Sequence, residues 1–110
     1  MGRIFAGVDL GGTSIHAAAV RDGSILTEAG AKTPPSGAPG AVVKQIAELI
    51  ASLQEEVAAE GPLAGICLGA PGAVDSDTGL VRNAPNLGWS DEPVARELSD
   101  RTRLPVVLEN

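Results

Sequence analysis

The chain has 110 residues, of which 44% are hydrophobic and 20% are charged, and its formal net charge is -6. This length permits one modest domain and is small for an enzyme that closes two lobes over two substrates. The eight basic residues are scattered, which argues against nucleic acid as a partner because a phosphate backbone is bound by clustered lysine and arginine.

Three strands are predicted at the start of the chain. Residues 3–9 have the pattern of a buried strand that includes Phe5, and Gly11-Gly12 supplies a tight turn into a second apolar run over residues 15–20. Asp22-Gly23 is a strong two-residue turn signal, and a third strand is expected over residues 25–31. Adjacent strands joined by such turns form an antiparallel sheet.

Helices and strands are predicted to alternate after Pro39. An apolar stripe predicts an amphipathic helix over residues 39–60, and a central strand follows over residues 63–70, in which Cys67 is expected to be a buried small hydrophobe. Residues 71–88 are rich in Gly, Pro, Asp and Asn and are interpreted as a long functional loop. A second helix over residues 92–103 leads to a strand over residues 105–109. Right-handed crossovers place the last two strands parallel to the first in one mixed α/β sheet.

The first motif with chemical potential is the segment from Asp9 to Thr13. Glycines allow backbone N–H groups to approach a phosphate closely, and Thr13 adds a hydroxyl donor. The Asp9 carboxylate would repel a bare phosphate, so its presence favours a magnesium–nucleotide complex. The alternative is that Gly11-Gly12 is only a hairpin turn capped by Asp9.

The second motif comprises residues 69–75 and 83–89, after the predicted central strand. Glycines there expose backbone at the carboxyl edge of the sheet, where open sheets tend to bind ligands. Asn86 and the backbone around Pro71-Gly72 could pair with the hydroxyl groups of a polar substrate. The alternative is a structural loop in which Asp75 and Asn83 are turn residues and Trp89 is a packing anchor.

Four segments together resemble the ROK family of sugar kinases. They are GVDLGGT at 7–13, GAPGAVD at 69–75, APNLGW at 84–89 and PVVLEN at 105–110, in the family's order and spacing. The resemblance implies a ribonuclease H-like mixed sheet, as in the amino-terminal lobe of the actin, hexokinase and Hsp70 fold. Residues 1–110 are accordingly expected to be that lobe, without the carboxy-terminal lobe.

The resemblance also implies residue roles in ATP-dependent phosphorylation of a glucose-like hexose. It assigns ATP phosphates and Mg to Asp9, Gly11, Gly12 and Thr13, with Asp9 as the metal ligand. It assigns sugar binding to Gly69, Pro71, Gly72 and Asn110, and we add Asn86 to this predicted site. The general base is expected to be an Asp directly after Asn110, so residues 1–110 alone are expected to be inactive.

Two further expectations concern charge and context. Family members usually carry Lys after Gly-Gly-Thr, where this chain has Ser14, so the resemblance implies a missing positive charge beside the phosphate turn. His16 is expected to be an ordinary strand-face residue. The full-length protein is expected to be a cytoplasmic homodimer without a membrane segment. Alternatives are a sugar-sensing ROK transcriptional regulator and a non-catalytic lobe of the same fold.

Overall fold

The first three strands form a continuous antiparallel meander in the computed structural model, which describes residues 2–110. Strand β1 covers Ile4–Leu10, β2 covers Ser14–Arg21 and β3 covers Ser24–Lys32. Asp22 and Gly23 both have positive φ, 51° and 80°, as the expected two-residue hairpin turn requires. The predicted three-stranded meander is therefore confirmed.

Helix α1 covers Pro39–Glu56 and packs its apolar stripe against the meander. Proline suits the first turn of a helix because its missing N–H would have no intrahelical acceptor there. The helix ends four residues before the predicted boundary, since residues 57–60 form a turn in which Glu60 N–H donates to the Val57 carbonyl oxygen. The buried stripe consists of Val42, Val43, Ile46, Leu49, Ile50 and Leu53.

The remaining strands of the large sheet lie parallel to β1, as predicted. Strand β4 covers Leu63–Gly69, helix α2 covers Val94–Thr102, and the last strand of the chain covers Val106–Glu109. Helix α2 ends where Arg103 adopts a left-handed conformation and donates its N–H to the Ser99 carbonyl oxygen at 2.7 Å. None of the helices within residues 2–110 is long and apolar enough to span a membrane.

The segment between β4 and α2 is a second sheet, which corrects the interpretation of residues 71–88 as a long loop. Strands β5 (Ala73–Asp75), β6 (Leu80–Ala84) and β7 (Trp89–Glu92) pair in antiparallel order, so that the final strand Val106–Glu109 is β8. These strands contain three to five residues each, with polar side chains on the exposed face. Such short strands give too few alternations for their period to be recognised in a sequence.

The large sheet has the strand order β3-β2-β1-β4-β8, and only one of its faces is covered. Both helices pack on the face that carries Ala6 and Leu68, which are fully buried. On the opposite face Phe5 is 46% exposed and Cys67 is exposed beside its cross-strand neighbour Val107. The predictions that Phe5 and Cys67 are buried were wrong, because successive side chains of a strand point to opposite faces.

Candidate functional site

The carboxyl ends of β1, β4 and β8 meet at one edge of the large sheet. Asp9 pairs with Gly69, and Gly69 pairs with Glu109, so these three residues lie in one row across adjacent parallel strands. Three of the predicted site segments follow these strand ends: the turn after β1, the loop after β4 and the residue after β8, whereas Asn86 lies between β6 and β7. The structure thus brings the separate sequence motifs to a single edge.

The turn between β1 and β2 is held by hydrogen bonds to its carbonyl oxygens. Thr33, which is 5% exposed, donates its hydroxyl to the Gly11 carbonyl oxygen at 2.7 Å and its N–H to the Thr13 carbonyl oxygen at 3.0 Å. Within the turn, Gly11 N–H donates to the Ser14 carbonyl oxygen at 2.9 Å. The N–H groups of Gly12 and Thr13 have no acceptor within residues 2–110. The turn therefore leaves two adjacent donors free for an anion.

Gly11 is required by the close approach of this turn to itself. A Cβ atom added at Gly11 would lie 2.8 Å from the Ser14 carbonyl oxygen, which is shorter than side chains tolerate. At Gly12 an added Cβ atom would meet only the Cβ atom of Asn86, at 3.5 Å. Gly12 therefore presents open backbone, and Asn86 lies beside the turn that carries the free N–H groups.

An open cavity of about 580 Å³ adjoins the turn. Its walls come from the turn itself, from the end of β3 with the proline segment that follows, and from one side chain of α1. They are formed by Gly12, Thr13, Lys32, Thr33, Pro34, Pro35 and Gln45. Lys32 is the positively charged residue among them.

The loop after β4 is fastened to the end of β8. Asn110 donates its side-chain N–H to the Gly72 carbonyl oxygen, and Ala70 N–H donates to the Glu109 carbonyl oxygen at 2.9 Å. Gly72 has a φ of 78°, and any Cβ atom there would overlap the Asn83 carbonyl oxygen. The predicted sugar-site residues Gly69, Gly72 and Asn110 are therefore neighbours, although they come from two distant parts of the chain.

The β6–β7 turn is anchored from the opposite side by Trp89. This side chain is 3% exposed and donates its indole N–H to the Gly37 carbonyl oxygen at 2.7 Å. Leu87 is also buried, and its backbone passes close to Gly37, where an added Cβ atom would lie 2.8 Å from the Leu87 carbonyl oxygen. Trp89 is thus the predicted packing anchor, and it holds Asn86 beside Gly12.

Asp75 organises the small sheet. Its carboxylate accepts the N–H groups of Asp77 and Thr78 at 3.1 and 3.3 Å and pairs with Arg82 at 3.2 Å. The hydrogen bonds from Thr78, followed by those from Arg82 and Asp77, hold the pKa of Asp75 below its usual value. Arg82 also pairs with Asp91 at 3.1 Å, which links all three short strands. Asp75 is the last residue of β5 and stabilises the turn that follows it, whereas Asn83, the other expected turn residue, lies within β6.

A carboxyl group with a perturbed pKa lies away from the sheet edge, between the two helices. Burial, followed by the nearby Glu92 carboxylate, raises the pKa of Glu97 to about 7. Its Oε1 atom is buried and has no hydrogen-bond partner within the described chain. Gly40, Val43 and Glu97 line an open cavity of about 450 Å³ at this place. Sequence inspection alone did not single out this group.

Two residues of the candidate site were missed by sequence reasoning. Thr33 and Lys32 come at the end of β3, where a threonine and a lysine are unremarkable in a sequence. Their relation to the turn depends on the pairing of β2 with β3.

His16 lies on the exposed face of β2, 3.0 Å from Glu28, as an ordinary strand-face residue. Both partners of this pair are more than half exposed, so it is worth little energetically.

Comparison with known proteins identifies relatives along almost the whole chain. The sequence model of the ROK family matches residues 5–110. A glucokinase from Thermotoga maritima is 39% identical over 106 residues, covering 94% of this chain and 32% of the relative. A putative xylose repressor from a Caldicellulosiruptor species is 38% identical over 71 residues, covering 61% of this chain and 18% of the relative.

Solved structures of ROK family proteins have a similar fold. A ROK family glucokinase from Streptomyces griseus, in complex with glucose and AMPPNP, superposes with a TM-score of 0.86 and 37% identity. That match covers 97% of this chain and 33% of the glucokinase chain. The chain therefore spans about a third of the length of the glucokinases that it matches.

Proposed function

The chain belongs to the ROK family, and we propose that it is the amino-terminal lobe of a kinase that transfers a phosphoryl group from ATP to a hexose. The proposal extends to this chain the activity named for its glucokinase relatives. The ATP analogue and glucose bound by the Streptomyces griseus glucokinase support the choice of donor and acceptor.

One observation carries the proposal: an anion-binding turn and a polar loop share a single sheet edge. Asp9, next to the turn, pairs directly with Gly69, where the loop that contains Gly72 begins, and Asn110 contacts this loop from the end of β8. Phosphoryl transfer depends mainly on positioning two substrates and on neutralising charge. At this edge, N–H groups that could bind phosphate and polar groups that could bind sugar hydroxyls lie on adjacent strands. Such an arrangement would position the two substrates next to each other.

On the nucleotide side we assign the phosphates to the β1–β2 turn. The free N–H groups of Gly12 and Thr13 would donate to phosphate oxygens, and the exposed Thr13 hydroxyl would add a third donor. Gly11 allows the turn to close, and Thr33 holds its carbonyl oxygens away from the anion. These contacts orient the phosphoryl group before transfer.

Asp9 has the chemistry expected of a magnesium ligand. Its carboxylate is exposed at the sheet edge, and Mg²⁺ is commonly held by one or two carboxylates together with substrate phosphates. Residues 2–110 contain no group of three His, Cys, Asp or Glu side chains that could enclose a metal by themselves. When bound, the ion would neutralise charge on the transferred phosphoryl group.

On the sugar side we assign Gly69, Pro71, Gly72 and Asn110 to the wall of the hexose site. The Asn110 side-chain N–H already supports Gly72, which leaves its amide oxygen to accept a sugar hydroxyl. Asn86, beside Gly12, lies where the phosphate and sugar ends of the site would meet. We assign the general base to the Asp expected directly after Asn110, and the second half of the cleft to a carboxy-terminal lobe.

A paired substitution tests this function in the full-length protein. Asp9→Asn removes the proposed metal ligand and should lower kcat/KM for hexose phosphorylation about 100-fold or more. Asp22→Asn makes the same chemical change in the β2–β3 turn, where Asn also tolerates positive φ, and should leave activity unchanged. Absence of sugar phosphate with any hexose tested, or equal activity of the Asp9→Asn variant and wild type, would contradict the proposal.

A sugar-sensing regulator is the second candidate, favoured by the similarity to the putative xylose repressor. Such a protein would bind hexose without consuming ATP, so its sugar affinity would not depend on MgATP or on Asp9. Calorimetric titration of hexose with and without an ATP analogue distinguishes the two. A kinase should bind hexose with an affinity that the ATP analogue changes, whereas a sensor should bind hexose equally well with and without the analogue.

A further inference from the structure

We propose that Lys32 is the side chain that pairs with the nucleotide phosphates at the β1–β2 turn, acting from β3 across the position of Ser14. This inference rests on the proposed kinase function and names a specific contact within it.

The first support is the strand register. Lys32 is the last residue of β3 and lies directly opposite Ser14, the first residue of β2. Side chains of directly paired residues stand on the same face, with Cβ atoms about 5 Å apart. Since Ile15 is buried under the helices, Ser14 and Lys32 both point to the open face, where Asp9 and His16 are also exposed. The ammonium group is therefore on the face of the proposed metal ligand.

The second support is the cavity next to the turn. Lys32 lines it together with Gly12 and Thr13, whose N–H groups have no acceptor within residues 2–110. A four-carbon side chain can swing its ammonium group over this space because Ser14, its short neighbour, leaves room. Lys32 and the two residues with free N–H groups thus border the same cavity.

The third support is the distribution of charge. In the described part of the chain, Arg21 and Arg82 are engaged in ion pairs, whereas Lys32 has no carboxylate partner. Arg3 precedes β1 at the opposite edge of the sheet, and Lys44 lies on α1. Lys32 therefore borders the cavity beside the turn without a carboxylate partner in residues 2–110, in a chain whose net charge is -6. A polyanion bound at Gly12 and Thr13 would have this positive charge in the wall of the adjoining cavity.

The test is a charge-relocation series in the full-length protein. Lys32→Met should raise KM for MgATP about tenfold, the loss expected for one charge-assisted hydrogen bond, with KM for hexose changed less than about twofold. Adding Ser14→Lys to Lys32→Met returns the ammonium group from the opposite strand and should restore most of the MgATP affinity. Arg3→Met, the matched removal of a cation at the other edge of the sheet, should have no effect.

The outcomes separate the two proposals. An active wild type whose KM for MgATP is unaffected by Lys32→Met overturns the role of Lys32 and leaves the kinase function standing. If wild type phosphorylates no hexose, the kinase proposal fails, and calorimetry with MgADP decides the remaining question. Equal MgADP affinities of wild type and Lys32→Met, or no binding by either, overturn the inference, whereas weaker binding by the variant supports it.

Discussion

The hydroxyl group of Thr33 donates to the carbonyl oxygen of Gly11 at 2.7 Å and so ties the end of β3 to the turn between β1 and β2. The same residue fixes the Thr13 carbonyl oxygen through its N–H. Two carbonyl groups of a three-residue turn are thereby oriented by one buried side chain and its backbone. This clamp determines which groups of the turn face outward.

Replacement of Thr33 by Val should loosen the β1–β2 turn. The valine keeps the shape but leaves the Gly11 carbonyl oxygen without its donor, which should lower the free energy of unfolding by about 1–3 kcal/mol and raise KM for MgATP. Urea unfolding and steady-state kinetics measure the two effects. Thr33→Ser retains the hydroxyl and is the control, so equal losses in both variants would refute the clamp.

Replacement of Gly11 by Ala should distort the turn. Its Cβ atom would lie 2.8 Å from the Ser14 carbonyl oxygen, so backbone must shift, at a cost of about 1–3 kcal/mol in unfolding free energy. Gly40→Ala is the matched control, because an added Cβ atom there meets nothing within 4 Å and the residue lies in α1. That variant should be more stable by roughly 0.5 kcal/mol. Thermal or urea unfolding of both variants measures these changes in unfolding free energy.

Glu97 should make stability fall as pH rises from about 4.5 to about 7. Because burial and Glu92 raise the pKa of Glu97 to about 7 from an ordinary value of 4.5, the folded state binds the proton that the unfolded state releases in this interval. Glu97→Gln mimics the protonated form and should remove this part of the pH dependence and stabilise the protein at pH 8. Urea midpoints between pH 4 and pH 8 measure it; an unchanged slope in the variant would contradict the assignment.

Replacement of Trp89 by Phe should release the β6–β7 turn. Phenylalanine retains most of the apolar contact but cannot donate to the Gly37 carbonyl oxygen, so about 1–3 kcal/mol of unfolding free energy should be lost. Trp89 is the only tryptophan, so unfolding is followed by circular dichroism rather than by fluorescence. Leu87→Met, a substitution of similar volume beside it, should cost less than about 1.5 kcal/mol. Equal stability of Trp89→Phe and wild type would refute the anchor.

The elements of the fold that could be predicted are those that local sequence patterns specify. Apolar runs and the Asp22-Gly23 turn were sufficient for the antiparallel meander, and the stripe from Val42 to Leu53 was sufficient for α1. The order of strands and crossover helices then predicted that β4 and β8 lie parallel to β1. The short strands β5 to β7 were not predicted, because turns such as that at Asp75 determine them more than apolar alternation does.

The amino-acid sequence by itself determined the family and the set of residues that gather at the sheet edge, since Asp9, Gly69 and Asn110 each lie at the carboxyl end of a strand with a clear apolar pattern. Only the tertiary structure decided which face each strand residue occupies and which residues are paired across strands. Phe5 and Cys67 are exposed because the helices cover only one face, and Lys32 stands opposite Ser14 because of the β2–β3 register. Helix docking and strand pairing join residues distant in sequence, so local patterns do not specify them.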